Sequence, residues 1–418
     1  MLKMLNNNEI QFILENSDAD ILKLIMSSSK KDNIDNIDIK LCINCIEARN
    51  KIKNKVPEWY NEPALIYPLK LSIEQCSSQI TATYKQTIIN SLNLDKNFTI
   101  ADITGGLGVD SYYLSKIASR LLYFDKNEIL CSAAKNNFKL LNANNITIVN
   151  ADITENLYKI KNENISLIYA DPARRAKDGK KVSYLMDCEP NILEIKNELL
   201  KISPYILLKL SPMADIKQNL SLLPETIQVY IVSVNNECKE LLFLLSSNFC
   251  SGESNKPSEP IINAIDISTN NNITNKISFK FCEESAIVPL FSTQEAIIKG
   301  SYLYEPNKSI LKAGAFKYIG EKYNLKKISP STHLYVSDTL DEFPGKVFRI
   351  DKVYNYNKHT IKELEKSSLQ ANLCSKNFPI STDNLKKRLK IKDGGDLFIF
   401  AVTSMEGNLL LIFCYPIK

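Results

Sequence analysis

Four aspartates, Asp102, Asp125, Asp152 and Asp171, each follow a short apolar run: Phe98–Ala101, Leu121–Phe124, Ile146–Val149 and Ile165–Ala170. After the first run comes a glycine-rich stretch, Asp102-Ile103-Thr104-Gly105-Gly106-Leu107-Gly108-Val109-Asp110. Glycine accepts positive φ and lets the backbone come close to a ligand. Asp125 lies 17 residues beyond Gly108, near the roughly 20-residue spacing of the acid that holds a ribose diol in dinucleotide folds. Asp102 and Asp110 beside the turn would repel a diphosphate. They suit a cationic or neutral ligand such as S-adenosylmethionine, with its amino group and sulfonium. Asp171-Pro172-Ala173-Arg174 follows the fourth run. There a carboxylate can accept a hydrogen bond from an amine, and the proline stiffens the loop by fixing φ. Arg174 can stack on a base or bind phosphate. No cysteine lies in this loop, so a covalent pyrimidine mechanism has no local nucleophile.

These groups need a scaffold that gathers strand ends. Continuous apolar runs are the signature of parallel strands buried on both faces, and open parallel sheets bind ligands beyond their carboxyl ends, where strand order reverses. The spacing predicts an α/β, doubly wound sheet over residues 71–250, with Tyr205–Leu210 as its fifth strand and Val229–Val234 with Leu241–Leu245 as a closing hairpin. Tyr112–Ala118 reads as the helix after the glycine turn. Residues 1–70 carry apolar residues at helical spacing in Glu9–Leu14, Ala19–Met26 and Ile37–Lys53. The segment Leu71–Asn90 contains Gln75 and Ser78, polar groups placed to cover a ligand from the amino-terminal side. Residues 251–276, rich in Ser, Asn, Gly and Pro, read as a linker. Beyond them, Lys308–Tyr323 reads as a helix, and Leu397–Thr403 and Leu409–Tyr415 flank a turn as a hairpin, so an α+β region is expected.

The 418 residues predict two or three domains. No apolar stretch reaches membrane-spanning length, the start lacks the pattern of a signal peptide, and ten cysteines are scattered through apolar segments. A cytoplasmic protein without a membrane partner is expected. Cys42 and Cys45 share one helical face with Leu41 and Ile46, which favours packing over metal ligation. With two histidines in the chain, a zinc set is hard to assemble, and no metal is expected. Charge is uneven. From residue 300 onward there are 19 Lys and Arg against 12 Asp and Glu, an excess of seven, while the preceding residues carry −2. Lys386, Lys387, Arg388 and Lys390 cluster in a helical pattern, a candidate phosphate-binding surface for RNA.

Residues 75–250 resemble class I S-adenosylmethionine-dependent methyltransferases, and more closely the bacterial group with a THUMP-like carboxyl-terminal domain, related to trimethylguanosine synthases. The resemblance rests on Glu74-Gln75-Cys76-Ser77-Ser78, Asp102–Asp110, Asp171–Arg175, Leu208-Lys209-Leu210-Ser211-Pro212 and Asn236–Leu241. It implies a seven-stranded Rossmann-like methyltransferase sheet with S-adenosylmethionine as cofactor. The Gly105–Gly108 turn would then hold the methionine part, Asp125 the ribose hydroxyls and Asp152 the adenine amino group, with Thr104, Lys126 and Ile153 as further cofactor-binding residues. Asp171, Pro172 and Arg174 would face the acceptor. It also implies a ferredoxin-like segment at 277–325 and a THUMP-like domain at 326–418, a module associated with RNA. The family motif has an aromatic residue where this chain has Ala173 and Arg174. The expected activity is methylation of a base in a structured RNA, an exocyclic amine being favoured. Methylation of a protein or small molecule, and RNA binding on a non-catalytic scaffold, stay open, as do the oligomeric state and the roles of Arg175, Tyr184 and Lys209.

Overall fold

The computed structural model describes residues 4–28, 37–68, 70–174, 185–250 and 259–417. It divides into two compact units, Met1–Val229 with Lys239–Ser258, and Tyr230–Cys238 with Glu259–Lys418.

The first unit opens on helices α1 (Asn7–Glu15), α2 (Ile21–Ser28), α3 (Ile39–Lys55), α4 (Pro57–Tyr60), α5 (Lys70–Gln75) and α6 (Gln79–Asn90). Asn6 starts α1 with a reciprocal cap. Its side chain accepts from the Glu9 amide at 2.9 Å, and the Glu9 carboxylate accepts from the Asn6 amide at 3.0 Å. Cys42 and Cys45 of α3 are buried against Ile13 and Ile46 and bear no disulfide. Leu71–Asn90 forms two helices, with Cys76, Ser77 and Ser78 between them.

The sheet follows from the four apolar runs. Its elements are β1 (Thr99–Asp102), α7 (Val109–Ser115), β2 (Arg120–Asp125), α8 (Glu128–Leu140), β3 (Ile146–Asn150), β4 (Ile165–Ala170), a short ribbon of β5 (Ala173–Arg174) with β6 (Cys188–Glu189), α9 (Ile192–Ile202), β7 (Tyr205–Leu210), α10 (Ile216–Leu222), β8 (Thr226–Val234) and β9 (Glu237–Ser246). Strand order runs β3-β2-β1-β4-β7-β9-β8. The first five are parallel, and β9 lies antiparallel to β7, from Tyr205 opposite Ser246 to Leu210 opposite Leu241. An all-parallel dinucleotide fold lacks that reversed strand. The chain leaves β1 toward β2 and β3 and later returns to β4 on the opposite side, so strand order reverses between β1 and β4. Glu58 of α4 fastens α7 from outside, accepting from the Tyr112 and Tyr113 hydroxyls at 2.7 Å each.

In the second unit β10 (Ile261–Ile267) and β11 (Ile273–Phe279) pair antiparallel. Residues 251–258 of the span expected as a linker lie outside the described residues; of 259–276, β10 and the start of β11 are strand, because Ile262, Ala264, Ile265 and Ile267 supply buried positions among the polar residues. Then come α11 (Phe281–Ala286), β12 (Tyr302–Pro306), α12 (Lys308–Ala313), α13 (Tyr318–Lys322), β13 (Lys326–Ser329), β14 (Thr332–Ser337), β15 (Gly345–Asn355), α14 (Lys358–Lys366), β16 (Asn372–Lys376), α15 (Thr382–Leu389), β17 (Phe398–Thr403) and β18 (Leu409–Pro416). The helix expected over Lys308–Tyr323 breaks where Gly314 takes φ of 78°. The seven-stranded sheet runs β13-β14-β12-β15-β18-β17-β16. Its two faces separate by alternation. Phe400, Val402, Leu410 and Ile412 pack with Leu303 and Phe348. Ile399, Ala401, Leu411 and Phe413 pack with Leu364 of α14 and Leu385 and Leu389 of α15.

Candidate functional site

The turn after β1 is held open by glycine for two different reasons. Gly106 and Gly108 take φ of 57° and 90°, a region that favours glycine. Gly105 is needed for space: a Cβ there would sit 2.2 Å from Cε2 of Tyr123. The same tyrosine donates its hydroxyl to the Gly106 carbonyl at 2.6 Å. The Gly105 amide donates to the Phe124 carbonyl at 2.8 Å, and the Gly106 amide donates to Oδ2 of Asp125 at 2.8 Å. Oδ1 of Asp125 accepts from the Asn127 amide at 2.7 Å. The end of β2 therefore presents a carboxylate fixed on both oxygens. Burial raises its pKa, and the Asn127 and Gly106 amides oppose that rise.

Asp102 is 1 % exposed. It accepts from the Ser111 hydroxyl and, at 3.0 Å, from the Thr104 amide. Burial pushes its pKa up to about 7 against those two donors, with Asp110 and Asp171 adding to the rise. Thr104 then joins two strand ends, because its hydroxyl accepts from the Asp171 amide at 2.7 Å.

Beneath the cleft lies a buried charge cluster. Nζ of Lys85, whose side chain is 0 % exposed, donates to Asp110 at 2.9 Å and to Glu240 at 3.0 Å. Nζ of Lys209 donates to Asp171 at 2.6 Å and to the Ser77 hydroxyl at 3.2 Å. Asp110 also accepts from the Ser77 hydroxyl at 2.7 Å and the Tyr169 hydroxyl at 2.8 Å. Burial would raise the Asp110 pKa, but Lys85 and Lys209 overcome it and hold it at about 2. Burial alone would lower the Lys209 pKa. Asp171, Asp110 and Glu240 reverse that and hold it well above the usual lysine range.

The charge count at the turn changes accordingly. Asp110 is matched by lysines, and Asp102 titrates near neutrality, so the turn repels an anion less than its aspartates suggest in sequence. Lys85, Lys209, Tyr169, Ser77 and Glu240 were not singled out as site residues by sequence reasoning, Lys209 having no assigned role. A lysine inside a helical or strand pattern of otherwise buried positions was the available signal.

The cleft has a volume of 340 Å³. Gln75, Asp102, Thr104, Gly105, Gly106, Gly108, Asp110, Asp125, Lys126, Asp152, Ile153 and Asp171 all line it, together with Ser77 and Glu189. Ser78 is placed otherwise. Its hydroxyl caps α6 by accepting from the Thr81 amide at 3.2 Å, and the neighbouring Ser77 takes the cleft position. Pro172 is buried and lies outside the lining. Lys126 is ion-paired with Glu189. Asp152 accepts from the Thr154 amide at 2.9 Å. The backbone of Arg174 belongs to β5; its side chain, Arg175 and Tyr184 lie outside what is described. Among the described residues no cluster of three metal-ligating side chains occurs.

The basic cluster lies on α15 of the second unit. Lys387, Arg388 and Lys390 are exposed, and the Arg388 guanidinium lies 5.5 Å from the Tyr356 ring centroid. Lys386 departs from the expectation: it is half-buried and ion-paired with Asp393 at 2.5 Å.

Two measurements check this arrangement. Gly105→Ala should cost about 1–3 kcal/mol of stability in urea unfolding, the usual penalty of overpacking, since Tyr123 must move. Asp102 binds its proton more tightly folded than unfolded, so it removes stability as pH rises from about 4 to 7, with a slope of up to about 1.4 kcal/mol per pH unit. Asp102→Asn should flatten that stretch of the stability–pH curve and leave the region above pH 8 parallel to wild type. An unchanged slope would show that Asp102 is ionised throughout.

Comparison with known proteins follows the same division. Residues 302–344 match the ferredoxin-like domain family and 345–416 the THUMP domain-like family. No curated protein matches the sequence. The crystal structure of a Porphyromonas gingivalis W83 protein, provisionally named a methyltransferase, is 29 % identical, covers 100 % of both chains and superposes with a TM-score of 0.84. A human methyltransferase 10 domain containing protein is 12 % identical over 48 % of this chain and 98 % of its own, with a TM-score of 0.37, and carries no weight at that overlap. The chain has a class I methyltransferase fold followed by ferredoxin-like and THUMP-like regions.

Proposed function

We propose that the chain is an S-adenosylmethionine-dependent methyltransferase acting on a base of a structured RNA, with an exocyclic amine as the acceptor. The observation that carries this reading is the position of Asp171. It follows β4 beside the reversal of strand order, shares one cleft with the glycine turn and Asp125, and is held at both ends, its amide by Thr104 and its carboxylate by Lys209. A degenerate scaffold has no physical need for such a fixed acid. The kinship with trimethylguanosine synthases that the sequence resemblance implies belongs to this proposal.

The cleft suits the cofactor. Its 340 Å³ lies within the range of small-molecule sites. The bare glycines allow close approach, and Asp125 retains lone pairs for a ribose diol beyond the two amides it already serves. Gly105–Gly108 would hold the methionine part, Asp125 the ribose and Asp152 with Ile153 the adenine. S-adenosylmethionine supplies a methyl group on a positively charged sulfur. Asp171 would accept a hydrogen bond from the acceptor amine and so fix its direction, and proximity then accounts for much of the rate. The RNA assignment is supported by the THUMP domain-like match, by the positive excess from residue 300 onward and by the exposed Lys387, Arg388 and Lys390. Ten cysteines scattered through apolar segments fit a reducing, cytoplasmic setting. Among the described residues no helix is long and apolar enough to cross a membrane.

Transfer of tritium from S-adenosylmethionine should label the RNA fraction of a cell extract; label in protein or small molecules alone would replace RNA as the substrate. Asp125→Ala should weaken binding of S-adenosylhomocysteine by about 1.5–3 kcal/mol in calorimetry, the scale of hydrogen bonds to a charged group. Asp171→Ala should slow transfer at least about tenfold with RNA affinity little changed. Replacing Lys387 and Arg388 together by alanine should raise the half-saturating RNA concentration and flatten its salt dependence. Sound RNA binding without transfer to any fraction would leave the scaffold reading.

A further inference from the structure

We propose that Lys209 is a positioning residue: its ammonium bridges the cofactor wall at Ser77 and the acceptor wall at Asp171 and, as the counter-charge to the Asp171 carboxylate, aims it at the incoming amine. The inference rests on the methyltransferase reading of Asp171.

The placement of this lysine is costly. It sits in β7 among Ile206, Leu207, Leu208 and Leu210, all buried, between β4 on one side and β9 on the other. Its side chain is 12 % exposed. A buried ion pair is weak evidence for stability, since apolar residues of similar volume often do as well or better. An unbranched apolar side chain at 209 would continue the strand's own pattern. Lys209 itself lies behind the lining, and the two groups it contacts, Ser77 and Asp171, both face the cleft.

The charges around Asp171 explain why it needs this partner. Three carboxylates, Asp110 of α7, Asp171 after β4 and Glu240 of β9, share two ammoniums. Lys85 of α6 serves Asp110 and Glu240, and Lys209 is the ammonium in contact with Asp171. Asp102 of β1 adds a further nearby acid, while Thr104 of the turn, Ser77 before α6 and Tyr169 of β4 contribute neutral donors or acceptors. Without Lys209, Asp171 loses the ammonium it contacts while Asp102 stays nearby. The neighbouring ammoniums are engaged, Lys85 by Asp110 and Glu240 and Lys55 by the Ile73 and Glu74 carbonyls, and a carboxylate beside like charge takes up its proton at higher pH. A protonated Asp171 cannot do what an amine acceptor requires. As the nitrogen lone pair forms the new N–C bond, the C–S bond breaks with its electron pair staying on sulfur. The product nitrogen then carries one proton in excess, which passes to the Asp171 carboxylate and on to water.

The test uses the full chain as wild type, Lys209→Met, Lys209→Arg and Asp171→Asn. Carbon-13 NMR of aspartate-labelled protein, assigned by the signal missing in Asp171→Asn, follows the Asp171 carboxyl directly. Lys209→Met should raise its titration by at least about one pH unit, and Lys209→Arg should leave it near the wild-type value. Calorimetry with S-adenosylhomocysteine should give dissociation constants within about threefold of wild type for both lysine variants, on the general expectation that an indirect contact costs little. Tritium transfer to cellular RNA should then fall at least about tenfold in Lys209→Met at pH 6, recover as pH is raised, and be largely restored in Lys209→Arg. An unmoved Asp171 titration, or a pH-independent loss of rate, overturns the inference. If Lys209→Met fails to fold, Lys209→Gln is read in the same three ways. Wild-type protein that labels no RNA overturns the proposed function instead, and with it the purpose assigned to Lys209; normal wild-type transfer beside a fully active Lys209→Met variant overturns this inference alone.

Discussion

The ammonium of Lys85 has no access to water, and much of the first unit is arranged to answer it. An isolated charge at such a depth would be several kcal/mol too costly to keep. Two carboxylates make it tolerable, and they come from distant parts of the chain: Asp110 from the first turn of α7 and Glu240 from β9. Satisfying one lysine therefore fixes α6, the exit of the glycine turn and the reversed strand at one point. Asp110 in turn takes the Ser77 and Tyr169 hydroxyls, which brings in the segment before α6 and the body of β4. The cleft is bounded by these same groups, so its walls are set by folding before any ligand arrives.

The scaffold was readable because local pattern and tertiary role coincide there. Continuous apolar runs ending on acids gave β1 to β4 to within a residue or two, and Tyr205–Leu210 and Ile165–Ala170 have the expected bounds. The glycine turn was readable through residue type. The charge cluster was not, because its contacts cross 155 positions from Lys85 to Glu240 and 132 from Ser77 to Lys209. Periodicity carries no information about which lysine will meet which acid. Ser78 and Ser77 illustrate the limit at single-residue scale: two adjacent hydroxyls divide between a helix cap and the cleft, and the start of α6 decides which does which.

The second unit yielded less to sequence for a different reason. Leu397–Thr403 and Leu409–Tyr415 are continuous apolar runs on either side of a turn, and the strands stand there. In α14 Ile361 and Leu364 are the apolar residues among Lys358, His359, Thr360, Lys362, Glu363, Glu365 and Lys366, so a narrow buried stripe anchors an otherwise polar helix. Segments β12 and β16 are five residues each, too short for alternation to separate them from loop. Composition misled at 259–276, where Asn263 and Asp266 are buried inside β10 and Thr274 and Lys276 of β11 face outward. Lys386 shows that a basic run is not a uniform surface: one residue in it turns back toward Asp393.

Neither unit is a single run of chain. Tyr230–Cys238, the tip of the β8–β9 hairpin, is grouped with the second unit, while Lys239–Ser258 returns to the first. During synthesis, when amino-terminal domains generally fold first, those nine residues leave the ribosome before the first unit has its last strand. The remainder of their own unit follows only from Glu259 onward. No single break in the gene separates the two units cleanly, so exchange of the carboxyl-terminal region between relatives by simple end-to-end joining would carry a hairpin tip of the wrong parentage.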